Sequence, residues 1–126
     1  MNNRQIFLLV AAIGLLPIAL SYGAAPQQSL SYLFNITISD LNGVHIFRAV
    51  MGLYLALILF WIWGAFQKQM TEAALWSLVV FMFGLAAGRA LSFLIDGMPN
   101  WLLLTYFVLE IAFGVCGLVL LRRGEN

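Results

Sequence analysis

Charge is scarce in this sequence. Only 9% of its 126 residues are charged, six basic and five acidic, and the net charge is +1. So few and so scattered basic residues exclude nucleic acid and polyanionic surfaces as partners, because phosphate binding needs clustered Lys and Arg. Cysteine is nearly absent too. With Cys116 alone, neither an internal disulfide nor a cysteine-rich metal site can form. A single histidine, His45, leaves a zinc centre or a two-histidine haem without a ligand set, so no cofactor is expected. No nucleophile-activating motif surrounds Ser92, and an enzyme is not expected either.

What the chain has in abundance is apolar side chains, 63% of the total. A bilayer crossing takes about 20 mostly apolar residues, so four crossings use most of the chain and leave no room for a soluble domain. The expected fold is all-α: a single transmembrane domain over 1–126 with spans at about 5–23, 44–66, 73–95 and 101–121. The first run ends in Ser21-Tyr22-Gly23-Ala24-Ala25-Pro26, which imitates a signal-peptide cleavage site. Pro26 opposes a cut after Ala25, and the segment is read as a retained helix in which Pro17 is tolerated.

Residues 24–43 form the longest loop. Leu30, Leu33, Phe34 and Ile38 recur in it at helical spacing, which predicts a short interfacial helix with Tyr32 at headgroup depth. Asn35-Ile36-Thr37 matches a glycosylation sequon, but no other feature points to a eukaryotic secretory route. A turn is expected over 67–72, with Thr71 capping the third span. Trp61 and Trp63 are expected near an interface, Trp76 and Trp101 as further anchors. Arg122-Arg123-Gly124-Glu125-Asn126 stops the last span, and Asp96-Gly97-Met98-Pro99-Asn100 is a tight connection.

Three ions remain inside the spans: Arg48, Arg89 and Glu110. Counted at about 1.5 Å per residue, they lie roughly 7, 10 and 14 Å from the same side of the membrane, with His45 and Asp96 a little shallower. At about 100° per residue, His45, Arg48 and Gly52 share one face of the second span, and Arg89, Ser92 and Asp96 one face of the third. Tyr106, Glu110, Gly114 and Gly117 share a stripe of the fourth, and Gly84 and Gly88 form a small-xxx-small pair, so glycines are expected where helices meet. An unpaired ion at such depth costs about 2.5–3.5 kcal/mol on insertion scales, so the charges should pair. The pairs are Arg89 with Glu110 and Arg48 with Asp96, or the exchanged set. Cys116 reads as a small buried residue.

The pattern His45-x-x-Arg48-x-x-x-Gly52-x-Tyr54, then Gly88-Arg89-x-x-Ser92-x-x-x-Asp96-Gly97-x-Pro99, then Glu110 before glycines resembles a family of small bacterial four-helix membrane proteins catalogued as a domain of unknown function. The resemblance covers about residues 42–121. It implies a bacterial inner-membrane setting and supplies no activity.

The polar residues His45, Arg48, Tyr54, Arg89, Ser92, Asp96 and Glu110 are therefore the candidate site, reading as a place for an anionic lipid headgroup or small anion. Two other classes compete. The cluster could merely fix helix register in an accessory subunit of a larger membrane complex, or an oligomer could form a channel or proton-coupled carrier. Membrane lipid is the expected partner, and a small homo-oligomer the expected state.

Loop charge sets the orientation, since Lys and Arg collect on the cytoplasmic side. Arg4, Lys68, Arg122 and Arg123 all fall on one side of an up-down-up-down bundle, which predicts both termini in the cytoplasm. In a Cys116→Ala background, Asn2→Cys and Glu125→Cys should be labelled by a membrane-impermeant thiol reagent only after the membrane is opened, and Met98→Cys without opening. The reverse pattern would overturn the orientation.

Overall fold

The computed structural model describes residues 2–123. Five helices are present among them: α1 (Asn3–Gly23), α2 (Pro26–Phe34), α3 (Leu41–Phe66), α4 (Lys68–Ile95) and α5 (Trp101–Arg123). The sequence stop at 124–126 lies outside the described residues. Four helices, all but α2, are long and apolar enough to cross a membrane. They alternate in direction as a membrane helical bundle, as expected from the sequence. Ile13, Leu59 and Val80 stand largely exposed on its outside, a surface suited to hydrocarbon.

The helix ends explain the boundaries. The Asn2 side chain accepts from the Gln5 amide at 3.0 Å and Gln5 Oε1 accepts from the Asn2 amide at 3.0 Å, a reciprocal cap that starts α1. Asp40 accepts from the Gly43 amide at 3.0 Å, so α3 begins at Leu41, three residues earlier than expected. Asn35, the sequon asparagine, takes a left-handed φ of 58° and closes α2. Tyr32 is 89% exposed, while Leu30 and Phe34 are buried against the bundle.

Between α3 and α4 the structure corrects the expected turn at 67–72. Only Gln67 separates the two helices, and Thr71 lies inside the first turn of α4. There its hydroxyl donates to the Gly64 carbonyl at 2.6 Å, supplying a donor to the end of α3 instead of capping the start of α4. The helices can fold back so sharply because Gly64 has no side chain: a Cβ there would meet the Ala74 Cβ. Trp61, expected at an interface, is fully buried beside this turn, with its indole N–H donating to Ser77 Oγ at 3.0 Å. Trp63 is half exposed, and Trp76 and Trp101 face outward as expected.

α1 packs most extensively along α3, α3 on α4 and α4 on α5, while α5 returns to α1 only lightly. The core is a stripe of small and medium residues on α1, including Leu8, Ala11, Leu15 and Ala19, against Ile58 of α3 and Leu78 of α4. Gly114 and Gly117 are close-approach glycines as expected, the first against Phe83 and the second against Val79. Gly52, Gly84 and Gly88 are not: within this chain nothing lies within 4 Å of where their Cβ would stand. Cys116 is exposed on α5, contrary to the expected burial, because the buried stripe of that helix is Glu110, Gly114 and Gly117.

The contrast between glycines is testable. Gly64→Val should lose about 1–3 kcal/mol through overpacking against α4. Gly52→Ala should be neutral or gain up to about 1 kcal/mol from reduced backbone freedom. Thermal unfolding in one detergent reads both, and equal effects would show that the α3–α4 turn is looser than described.

Candidate functional site

The centre of the site is an ion pair between neighbouring helices. Arg89 of α4 donates its Nε–H to both carboxylate oxygens of Glu110 on α5, at 2.9 and 3.0 Å. Glu110 is 7% exposed, so it points into the bundle as its glycine-bearing stripe predicts. This is one donor shared between two acceptors, not the two-pronged fork of which Arg is capable. The rest of the guanidinium is therefore turned elsewhere. Nη2 reaches the Tyr22 hydroxyl at 3.5 Å, a long contact, and the guanidinium carbon stands 5.8 Å from the centre of the Tyr106 ring.

Three tyrosines gather around this pair. Tyr22 is at the end of α1, and its ring meets Tyr54 of α3 edge-on at 5.5 Å and stacks with Phe34 of α2 at 5.8 Å. Phe34 in turn touches Tyr106 at 6.0 Å. The short helix α2 thus acts as a cover over the pair. It is tied down by Asn100, whose side-chain amide donates to the Leu33 carbonyl at 3.2 Å while its oxygen caps α5 through the Leu103 amide at 3.1 Å.

The other expected pair does not form. Arg48 Nη1 donates to the Gly23 carbonyl at 3.2 Å, at the C-terminal end of α1, where unsatisfied carbonyls and the negative end of the helix dipole favour a cation. Asp96 instead accepts from Ser92 Oγ at 2.8 Å, one helical turn before it. His45 is exposed on α3 and lines none of the cavities described here, so neither it nor Arg48 joins the cluster. Arg4 follows the same rule as Arg48 at the opposite end of the bundle. It is buried, with Nε and Nη2 donating to the Leu120 carbonyl at 3.3 and 3.2 Å and Nη2 also to that of Leu121. Sequence reasoning used Arg4 only as a terminal charge that sets orientation. Its position on the same face as Leu8, Ala11 and Leu15 of α1 was the signal that pointed inward.

Two cavities flank the ion pair. On the α5 side, an apolar crevice of about 90 Å³ reaches Glu110 between Gly14, Leu109 and Phe113. On the other side, a cleft of about 650 Å³ lies between α3 and α4 below the 96–99 connection. Arg89, Ser92 and Asp96 line this cleft, with Phe47, Val50 and Phe93 as its apolar walls. Tyr54 borders both cavities. Gly84 and Gly88 form part of the cleft, which is why no neighbour stands over them. Among the described residues Arg89 Nη1 has no hydrogen-bond partner, and no unpartnered side-chain donor there is buried, so Nη1 keeps some exposure on a residue that lines the cleft.

The family model described as a domain of unknown function, DUF4345, matches residues 4–121. The chain belongs to this family. No curated protein and no solved structure matches it. The DUF4345 match extends past the 42–121 segment on which the resemblance rested and takes in α1 and α2, the elements that bring Tyr22 and the cover over the ion pair.

The pair makes a quantitative prediction. Arg89→Ala strands a carboxylate in the bundle and should cost roughly 3–5 kcal/mol. Glu110→Gln in the same chain should recover part of that loss, because neither partner is then left as an ion. Thermal unfolding of the two singles and the double measures the coupling, and strict additivity would show that the residues do not touch.

Proposed function

We propose that this multi-pass membrane protein resides in a bacterial inner membrane, with both termini in the cytoplasm, and binds the anionic phosphate of a membrane-lipid headgroup in the cleft at Arg89. The observation that carries this reading is the division of labour within one guanidinium: Nε is committed to Glu110, while Nη1 has no partner among the described residues and Arg89 lines an open cleft. A guanidinium presented this way offers charge-assisted hydrogen bonds to a phosphate or carboxylate. The apolar walls at Phe47, Val50 and Phe93 favour an amphiphile over a small free anion, since a lone anion would leave that surface in contact with water. The proposed role is binding without chemistry.

A register-fixing role in a larger complex draws support from a different observation, the burial of Glu110 and its bond across the α4–α5 interface. The two roles use different atoms of Arg89 and are compatible. A channel through one chain draws no support, because Trp61, Leu75 and Leu78 fill the middle of the bundle with apolar volume. Association into a small homo-oligomer remains the proposed state, and the uncovered Gly52 face on α3 leaves room for a second chain to approach.

Native mass spectrometry of protein extracted in mild detergent tests the lipid reading. The wild type should carry phospholipid adducts that survive mild activation, and Arg89→Gln should lose most of them, on the order of tenfold in occupancy for one charge-assisted bond pair. Adducts retained equally by both proteins would show that Arg89 does not hold lipid.

A further inference from the structure

We infer that the cleft selects a zwitterionic phospholipid carrying a primary amine, a phosphoethanolamine headgroup, over a purely anionic one; this rests on the lipid-binding reading above.

The inference comes from the order and balance of charge along the cleft. Arg89 contributes one positive charge and Asp96 one negative, and Glu110 already sits on the guanidinium. Arg48 and His45 do not line the cleft, so its ions give no net positive field for an anionic lipid. A ligand carrying only negative charge would meet Arg89 at the cost of facing Asp96. A ligand carrying both signs satisfies each in turn.

The sequence of groups fits. α4 presents Asp96 at its end by the 96–99 connection, then Ser92 about 6 Å further along the helix, Arg89 about 4.5 Å beyond that, and Gly88 and Gly84 deeper still. A phosphoethanolamine lipid has the same order from water inward: ammonium, phosphate, then chains. The ammonium would donate to Asp96 Oδ1, since Oδ2 already accepts from Ser92, and the phosphate would accept from Arg89 Nη1. The glycines leave a groove against Val50 and Phe93 for the start of an acyl chain. A trimethylated amine keeps the charge but has no N–H to give, so it should bind less well than the primary amine.

Competition in nanodiscs or detergent, read by native mass spectrometry, decides the matter. Chain-matched phosphatidylethanolamine, phosphatidylcholine and phosphatidylglycerol are presented together to the full-length protein. The wild type should favour phosphatidylethanolamine by about tenfold over phosphatidylglycerol, with phosphatidylcholine between them, the size expected for one charge-assisted contact. Asp96→Asn, a change at an exposed end residue, should abolish that preference while lipid is still retained. Gly88→Leu, which fills the cleft without touching a charge, should lower retention of all three. Preference for phosphatidylglycerol, or an unchanged preference in Asp96→Asn, would overturn the inference and leave the lipid-binding reading standing. Loss of every adduct from the wild type would overturn that reading itself. Free phosphoethanolamine should not displace the lipid at equal concentration; if it does, the cleft serves a soluble zwitterion and the lipid assignment fails.

Discussion

Glu110 lies in the middle of a membrane-spanning helix, and Arg89 answers its charge by donating to both of its oxygens. Removing two charges from water costs several kcal/mol each before their attraction is counted, and the geometry must be good for the account to close. That requirement shapes the region around it. α4 and α5 must keep the register that puts Arg89 opposite Glu110, and Gly114 and Gly117 allow it by letting Phe83 and Val79 of α4 come close. Tyr22 then brings its hydroxyl and Tyr106 its ring to the guanidinium, Tyr54 packs edge-on against Tyr22, and α2 shuts the top through Phe34. The loop between the first two long helices is thus part of the site, held there by Asn100 at the start of α5.

Basic side chains elsewhere in the spans follow a second rule. Arg4 and Arg48 do not seek carboxylates; each donates to carbonyls at the C-terminal end of another helix, α5 and α1 respectively. The last turn of a helix presents carbonyls without intrahelical donors and carries the negative end of the helix dipole, so an arginine stem lying against apolar surface can reach it without importing an acid. These two contacts draw α1 against α5 at one end and against α3 at the other. They also leave Asp96 without a basic partner among the described residues, answered only by the Ser92 hydroxyl. An acid left in this way at a cleft mouth is free to meet something that is not protein.

Much of this was legible in the sequence where a single periodicity decided the outcome. The four spans, the shared face of Arg89, Ser92 and Asp96, and the inward aim of Glu110 all follow from counting at helical spacing. Pairing was half legible. Two arginines were set against Glu110 and Asp96 by charge balance, with the exchanged pairs equally open, and charge balance ignores the Gly23 carbonyl that competes for Arg48. Gly84 and Gly88 misled for a related reason: a small-xxx-small spacing states that another group can come close, not that it belongs to the same chain. Tyr22 was hidden in a segment that looks like a cleavage site, and Thr71 looked like a cap because nothing in the local sequence reveals that α3 folds back through a single residue.

The openness of the cleft and the closure of the ion pair are consequences of the same side chain. Because the carboxylate is engaged by Nε alone, Arg89 reaches Tyr22 with Nη2 and keeps Nη1 without a partner among the described residues, and it lines the cleft while Glu110 lines the crevice. Had Arg89 engaged Glu110 with a two-pronged fork, little of the guanidinium would face the cleft, and Gly84 and Gly88 would line an empty apolar gap. As built, the gap has a donor at mid-depth and an acceptor at its mouth. Helix geometry spaces the backbones of Arg89 and Asp96 by about 10 Å along the axis, an interval better suited to a headgroup carrying a phosphate and an amine than to one small anion.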